Sequence, residues 1–214
     1  MLKNVRIIFS KTGRAKYVSH LDLMRTMTRA LRRAEIPLWY TEGFNRHPYL
    51  TFAAPLSLGY EGERESMDIR LEEEMDYADL VAQLNAALPE GICAVEAAEV
   101  QAKVKELVSA VYHIRFDVSA TAVRNLLAMT EIPVEKRTKK KTMKTVDIKP
   151  FFANAEVEAV GEECCCMSVV LPCGSADNIN PSLFVSALTT AAGTSVSANV
   201  RRLKLLKEDG TEFL

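Results

Sequence analysis

Arg25, Arg29 and Arg33 follow one another at intervals of four residues, with Arg32 beside them. On an α-helix that spacing gathers all four guanidinium groups on one face. Along the stretch Glu35 is the one acid at pairing distance, and like charges four residues apart repel by about 0.3 kcal/mol per pair. The ladder therefore calls for an anion from outside the helix. Phosphate meets that demand through bidentate guanidinium contacts; the acidic residues between 61 and 79 are the alternative from within the protein, and plain solvation is the third.

A second basic run, Lys136, Arg137, Lys139, Lys140, Lys141, Lys144 and Lys149, reads as strand, loop and strand, a lysine-rich arm suited to an irregular polyanion. The Gly43–Pro48 segment adds a third feature: an exposed Gly/Pro loop that presents Phe44, Asn45, Arg46 and His47. In it Phe44, or Tyr49 just beyond, can stack on an unpaired base. Two separate basic clusters point to nucleic acid, although no strand carries the RNP-type aromatic signature.

His20 and His47 are the candidate acid/base groups, since one stands at a helix start and the other in a loop, each near arginines. His113 lies in a strand pattern and reads as a half-buried strand residue. Cys164, Cys165 and Cys166 are consecutive, so on a strand they alternate faces; with Cys173 they read as small core fillers, not as a zinc or cluster motif. No phosphate-binding glycine loop, dinucleotide fingerprint or serine-nucleophile motif is present. Binding is thus favoured over catalysis, and neither a metal nor a cofactor is called for.

The 214 residues are 48% hydrophobic and 26% charged, with a net charge of −1, which excludes collagen-like and wholly disordered chains. That near-zero sum hides four blocks. Residues 1–50 carry 10 Lys+Arg against 3 acids, 61–99 carry 2 against 12, 100–150 carry 11 against 5, and 151–200 have no Lys or Arg against 5 acids. No apolar run reaches the roughly 18 residues of a membrane helix, and the N-terminal residues lack an apolar signal core. An odd number of cysteines fits a reducing compartment, so a cytoplasmic location is expected.

The elements that must position these groups follow from periodicity. Val5–Phe9 predicts a strand, followed by the turn-like Lys11-Thr12-Gly13-Arg14 and a further extended piece through Tyr17-Val18. Ser19 predicts the N-cap of a helix to Glu35, with Met24, Met27, Leu31 and Ala34 inward and Pro37 beyond its end. Leu38–Thr41, Leu50–Ala53, Met67–Leu71 and Ile92–Val95 read as extended, and Asp76–Leu88 as a second helix. The order is βαββαβ, the ferredoxin-like motif. The second half repeats it: a strand at 111–118, a helix at 121–129, extended pieces at 134–148 and 164–171, a helix at 181–192 and a strand at 200–206. The expected fold is α+β, a tandem of ferredoxin-like two-layer sandwich domains, 1–100 with the basic first helix and 108–214 with the lysine-rich arm.

Several segments resemble a bacterial family of radical-SAM-linked domains of unknown function. They are Phe9-Ser10-Lys11-Thr12-Gly13, Lys16 to Arg25, Tyr40-Thr41-Glu42-Gly43-Phe44-Asn45-Arg46-His47-Pro48 and Phe52 to Gly59, continued more loosely through Glu65, Asp68, Arg137 to Lys141 and Val146 to Pro150. Arg46 stands where that family more usually has proline, and Tyr49 where a basic residue is common. The resemblance implies a stand-alone domain that works with a radical-SAM protein. A more distant likeness, in element order, is to ferredoxin-like CRISPR RNA-processing proteins, and it singles out His20. Together these readings give a cytoplasmic subunit that recognises structured RNA through Arg25, Arg29, Arg32, Arg33, Phe44, Asn45, Arg46, Lys139, Lys140, Lys141 and Lys144. Its expected partners are structured RNA and a radical-SAM protein, with no membrane. The alternatives are a protein-docking module and a metal-independent endoribonuclease using His20 or His47.

Overall fold

Val5-Arg6-Ile7-Ile8-Phe9 is apolar on both faces except at Arg6, and in the computed structural model, which describes residues 2–137, 143–174 and 177–214, it is the buried centre of β1 (Lys3–Lys11). The chain divides into two compact units: Met1–Leu107 with Arg202–Leu214, and Val108–Arg201. The expected division, 1–100 and 108–214, differs from these units in the placement of the last thirteen residues, Arg202–Leu214. The α+β class expected from the sequence is the class observed.

In the first unit β1 pairs antiparallel with β3 (Glu61–Leu71), Val5 opposite Ile69 and Ile7 opposite Met67. On its other edge it pairs antiparallel with β4 (Ile92–Glu99), after α2 (Tyr77–Ala87). A three-residue strand, β2 (Leu50–Phe52), pairs with Met67–Ile69 of β3. Helix α1 (His20–Arg33) lays Leu23, Met27, Ala30 and Leu31 on this sheet, and α2 adds Leu80 and Leu84, which closes one core with Val5, Ile7, Phe9, Met67 and Ile69. Ser19 caps α1 by accepting from the Asp22 N–H at 3.2 Å. Asp76 caps α2 by accepting from Ala78 and Asp79 at 2.8 and 3.1 Å. Each such cap is worth about 1 kcal/mol.

The second unit begins with β5 (Leu107–Phe116), whose first residue closes the first unit, and continues with α3 (Ala120–Ala128), a hairpin of β6 (Pro133–Arg137) and β7 (Met143–Asp147), β8 (Glu156–Gly161), β9 (Cys164–Pro172), α4 (Ser182–Ala192) and the start of β10 (Ala198–Lys207). Its strands lie in the order β10-β5-β9-β8, whereas β6 and β7 form a two-stranded sheet of their own. That hairpin is the departure from a bare βαββαβ order. Phe116, Phe152 and Phe184 fill the core, the last two stacked at 4.6 Å.

Three local expectations are corrected. Leu38–Thr41 is not a continuous strand: β2 takes the register against β3, and this segment keeps only the isolated bridges Leu38 to Leu71 and Tyr40 to Pro48. The turn expected at Lys11–Arg14 runs on as a 3₁₀ turn over residues 13–17, where the piece through Tyr17 is expected to be extended; Thr12 is tied to the Gly91 carbonyl at 2.8 Å and the chain folds back there. Gly91 has φ +83°, and a Cβ on it would stand 2.7 Å from the Thr12 carbonyl oxygen, so only glycine fits. β3 starts at Glu61, six residues before the expected strand, through Glu61-Gly62-Glu63-Arg64-Glu65-Ser66, which reads as polar and exposed in the sequence. Among the described residues no helix is long and apolar enough to cross a membrane.

Candidate nucleic-acid interface

Helix α1 does gather its arginines on the face away from the core: Arg25, Arg29, Arg32 and Arg33 are all exposed. Each has a different setting. Arg25 donates to Asp22 at 3.1 Å, an acid at i−3 that the spacing argument had not credited. Arg32 donates from Nε to the Tyr40 hydroxyl at 3.1 Å, with its guanidinium carbon 5.5 Å from that ring. Arg33 donates to the Ala87 carbonyl, on the last residue of α2. These are single, solvent-facing contacts that leave further N–H groups on each guanidinium. Meanwhile four of the nine acidic residues of 61–79 pair with other cations of the unit: Glu61 with Lys16, Glu65 with Arg202, Asp68 with Arg6, and Glu74 with Lys3.

Arg32 leads directly to the loop. Tyr40 bridges to Pro48, so the chain between them leaves and returns at one place, and Phe44, Asn45, Arg46 and His47 are all exposed. Phe44 projects an apolar ring entirely into solvent. His47 holds the turn: its Nδ1 lies 3.0 Å from the Asn45 carbonyl and 3.2 Å from the Thr41 hydroxyl, and its backbone N–H donates to that hydroxyl at 3.3 Å. The Nδ1–H tautomer serves the carbonyl, so the imidazole is part of the loop's own bonding. Tyr49, unlike Phe44, is half-buried, with Trp39 beside it and the Arg70 guanidinium 4.8 Å from its ring.

His20 opens α1, half-buried, with its ring edge-on to Phe52 at 5.4 Å. It shares a cavity of about 10 Å³ with Lys11 and Glu65, enough for one water and too small for a substrate. Behind it lies an ionic cluster that sequence reasoning missed. Arg202 donates to both carboxylate oxygens of Glu65, from Nε at 2.9 Å, and to the Ala54 carbonyl at 2.8 Å; Arg202 and Glu65 are both buried. Lys11, buried as well, donates to the Lys16 carbonyl at 3.2 Å. Desolvation pulls its pKa below the ordinary lysine value, an effect opposed by the Glu65 carboxylate and reinforced by Arg202. Arg6 makes a matching pair with Asp68, at 2.7 and 2.9 Å, under the ring of Phe213. The segments Phe9–Gly13, Lys16–Arg25 and Phe52–Gly59 thus converge on this cluster.

In the second unit Lys136 and Lys144 stand directly opposite one another across β6 and β7. Lys144 is exposed, while Lys136 donates to the Asn178 carbonyl at 2.7 Å. Lys149 donates to the Leu127 carbonyl. Lys139, Lys140 and Lys141 lie outside the described residues. His113 is a half-buried β5 residue paired with Ser168, as expected. Cys164, Cys165 and Cys166 alternate along β9, the middle one fully buried and raised in pKa by that burial. Arg115 donates to the Cys164 sulfur at 3.2 Å.

A family model described as uncharacterized protein conserved in bacteria, DUF2344, matches residues 4–181. The chain belongs to this family. The DUF2344 match takes in α1, the Phe44 loop, β3 and the lysine hairpin, whereas Arg202 and the rest of β10 lie beyond it. No curated protein sequence matches the chain. Among solved structures, a chain from the crystal structure of a Cbf5-Nop10-Gar1 complex is similar at TM-score 0.51 and 13% identity, over 96% of this chain and 50% of that one. The DUF2344 protein therefore spans about half the length of that neighbour and shares its fold. An unknown protein from Galdieria sulphuraria aligns at TM-score 0.28 and 13% identity, over 94% of this chain and 99% of that one.

Proposed function

We propose that this DUF2344 protein is a cytoplasmic RNA-recognition subunit that works with a radical-SAM partner in RNA modification or processing. The observation that carries the reading is Phe44, an apolar ring fully exposed at the tip of a loop that also bears Arg46 and whose base is tied to the arginine face of α1 through Arg32 and Tyr40. Exposed aromatic rings beside guanidinium groups bind unpaired bases and phosphates together. The lysine hairpin supports it: Lys144 is exposed on β7, opposite Lys136 of β6. The radical-SAM partner rests on the family resemblance of the first seventy residues.

The test is fluorescence anisotropy of labelled RNA against the purified protein between about 50 and 200 mM salt, where several phosphate contacts cost orders of magnitude in affinity. Steep salt dependence that becomes shallow when Arg25, Arg29 and Arg33 are replaced by Glu supports the reading. An unchanged affinity in that triple variant removes the assigned surface.

A second reading, protein docking without nucleic acid, is favoured by one feature of the second unit: an apolar groove of about 580 Å³ between α3, α4 and the hairpin, lined by Leu126, Met129, Ile132, Val134 and Met143. It predicts that co-purification with the radical-SAM protein survives ribonuclease.

A further inference from the structure

Trp39 and Tyr49 flank the Phe44 loop, one entering and one leaving, and the Tyr49 N–H donates to the Trp39 carbonyl at 3.1 Å. Their rings face each other across the loop's base at 6.4 Å, tilted by 56°. Arg70, on β3, places its guanidinium carbon 4.7 Å from the Trp39 ring and 4.8 Å from the Tyr49 ring. With those distances the three groups form a triangle: the guanidinium closes one side of the angle between the rings and is not sandwiched in it. Its orientation is fixed, because Nε donates to the Asn4 side-chain oxygen at 2.9 Å. Among the described residues its outer nitrogens donate no hydrogen bond. All three residues are half-buried, so each keeps part of its surface open to solvent.

We propose that Trp39, Tyr49 and Arg70 form a stacking platform for an unpaired base of single-stranded RNA, a second station beside the Phe44 tip. This rests on the RNA reading above and adds to it a preference for unpaired strand. Flat π-surfaces and a planar guanidinium accept any base by stacking, and the outer guanidinium nitrogens are placed to meet the adjoining phosphate or a base edge. A duplex keeps its bases stacked on one another and cannot offer one to the platform without first unpairing it. The platform therefore discriminates single strand from duplex, while the α1 arginines attract both.

Trp39 is the one tryptophan of the chain, so its emission reports on the platform directly. The experiment titrates the whole protein with an unstructured RNA strand of mixed sequence, about twenty nucleotides long, and with the same strand annealed to its complement, reading Trp39 fluorescence and anisotropy of labelled RNA in parallel. Quenching by the single strand at the midpoint given by anisotropy, and its absence with the duplex, is the expected result. Tyr49→Ala then weakens the single strand about tenfold and leaves the duplex unchanged, and Trp39→Phe keeps the affinity that Trp39→Ala loses. If the single strand binds with Trp39 emission unchanged and Tyr49→Ala without effect, the platform is wrong and the RNA reading stands. If neither RNA binds at low salt, the RNA reading fails and the platform with it.

Discussion

Two sets of arginines in the first unit have the same chemistry and opposite surroundings. Arg6 and Arg202 are buried, each held by both oxygens of one carboxylate and by backbone carbonyls; the four arginines of α1 are exposed, three of them with one contact each given above. A buried pair loses several kcal/mol in desolvation and regains it only while both partners remain, whereas an exposed guanidinium stays solvated and its single contact is worth less than about 1 kcal/mol. The first set is committed to holding the chain together. The second is left able to exchange its contacts for those of an arriving phosphate.

The largest effect that separates the two sets is on folding. Glu65→Ala strands the Arg202 guanidinium in the core and is expected to cost about 3–5 kcal/mol in urea denaturation; a loss below about 1 kcal/mol would mean that the pair is far wetter than its burial indicates. Next is binding. Replacing Arg25, Arg29 and Arg33 together by Glu is expected to lower RNA affinity about 100-fold at low salt and to make the salt slope shallower by about 2, with the melting curve little changed. A collapse of stability with no separate loss of affinity would put these residues in the first set.

Lys11 gives a smaller, pH-dependent effect. Its folded pKa lies below the ordinary value near 10.5, so between the two pKa values the unfolded chain binds more protons than the folded one, and stability rises with pH through that window. Lys11→Met should flatten the rise in the window below pH 10.5, measured as urea midpoints across pH. The smallest effect belongs to Arg29→Ala, expected to change stability by no more than about 0.5 kcal/mol in either direction.

Much of the exposed set was legible because helical spacing is a local property. The Ser19 cap, the inward Met27 and Leu31 and the outward arginines all follow from residues within one segment. The N-terminal start of β3 was not legible, since Glu61 and Glu65 look solvated until Lys16 and Arg202 are placed beside them, and Arg202 lies 137 residues along the chain from Glu65. Trp39 and Arg70 escaped notice for the same reason: the register of Leu38 against Leu71, not their spacing, brings them together. The Phe44 loop was readable from its glycine and proline, but Tyr49, a stacking candidate on paper, shares its ring with Arg70 and Trp39 at the loop's base.

The discontinuity of the first unit has a consequence in time. Residues up to Leu107 can pair their strands as soon as they leave the ribosome, but Glu65 meets Arg202, and Arg6 meets Phe213, only after the whole intervening unit has been made. At about 5–20 residues per second that interval is on the order of ten seconds. Throughout it the nascent chain carries a lone carboxylate and an uncovered sheet edge where β10 will later lie.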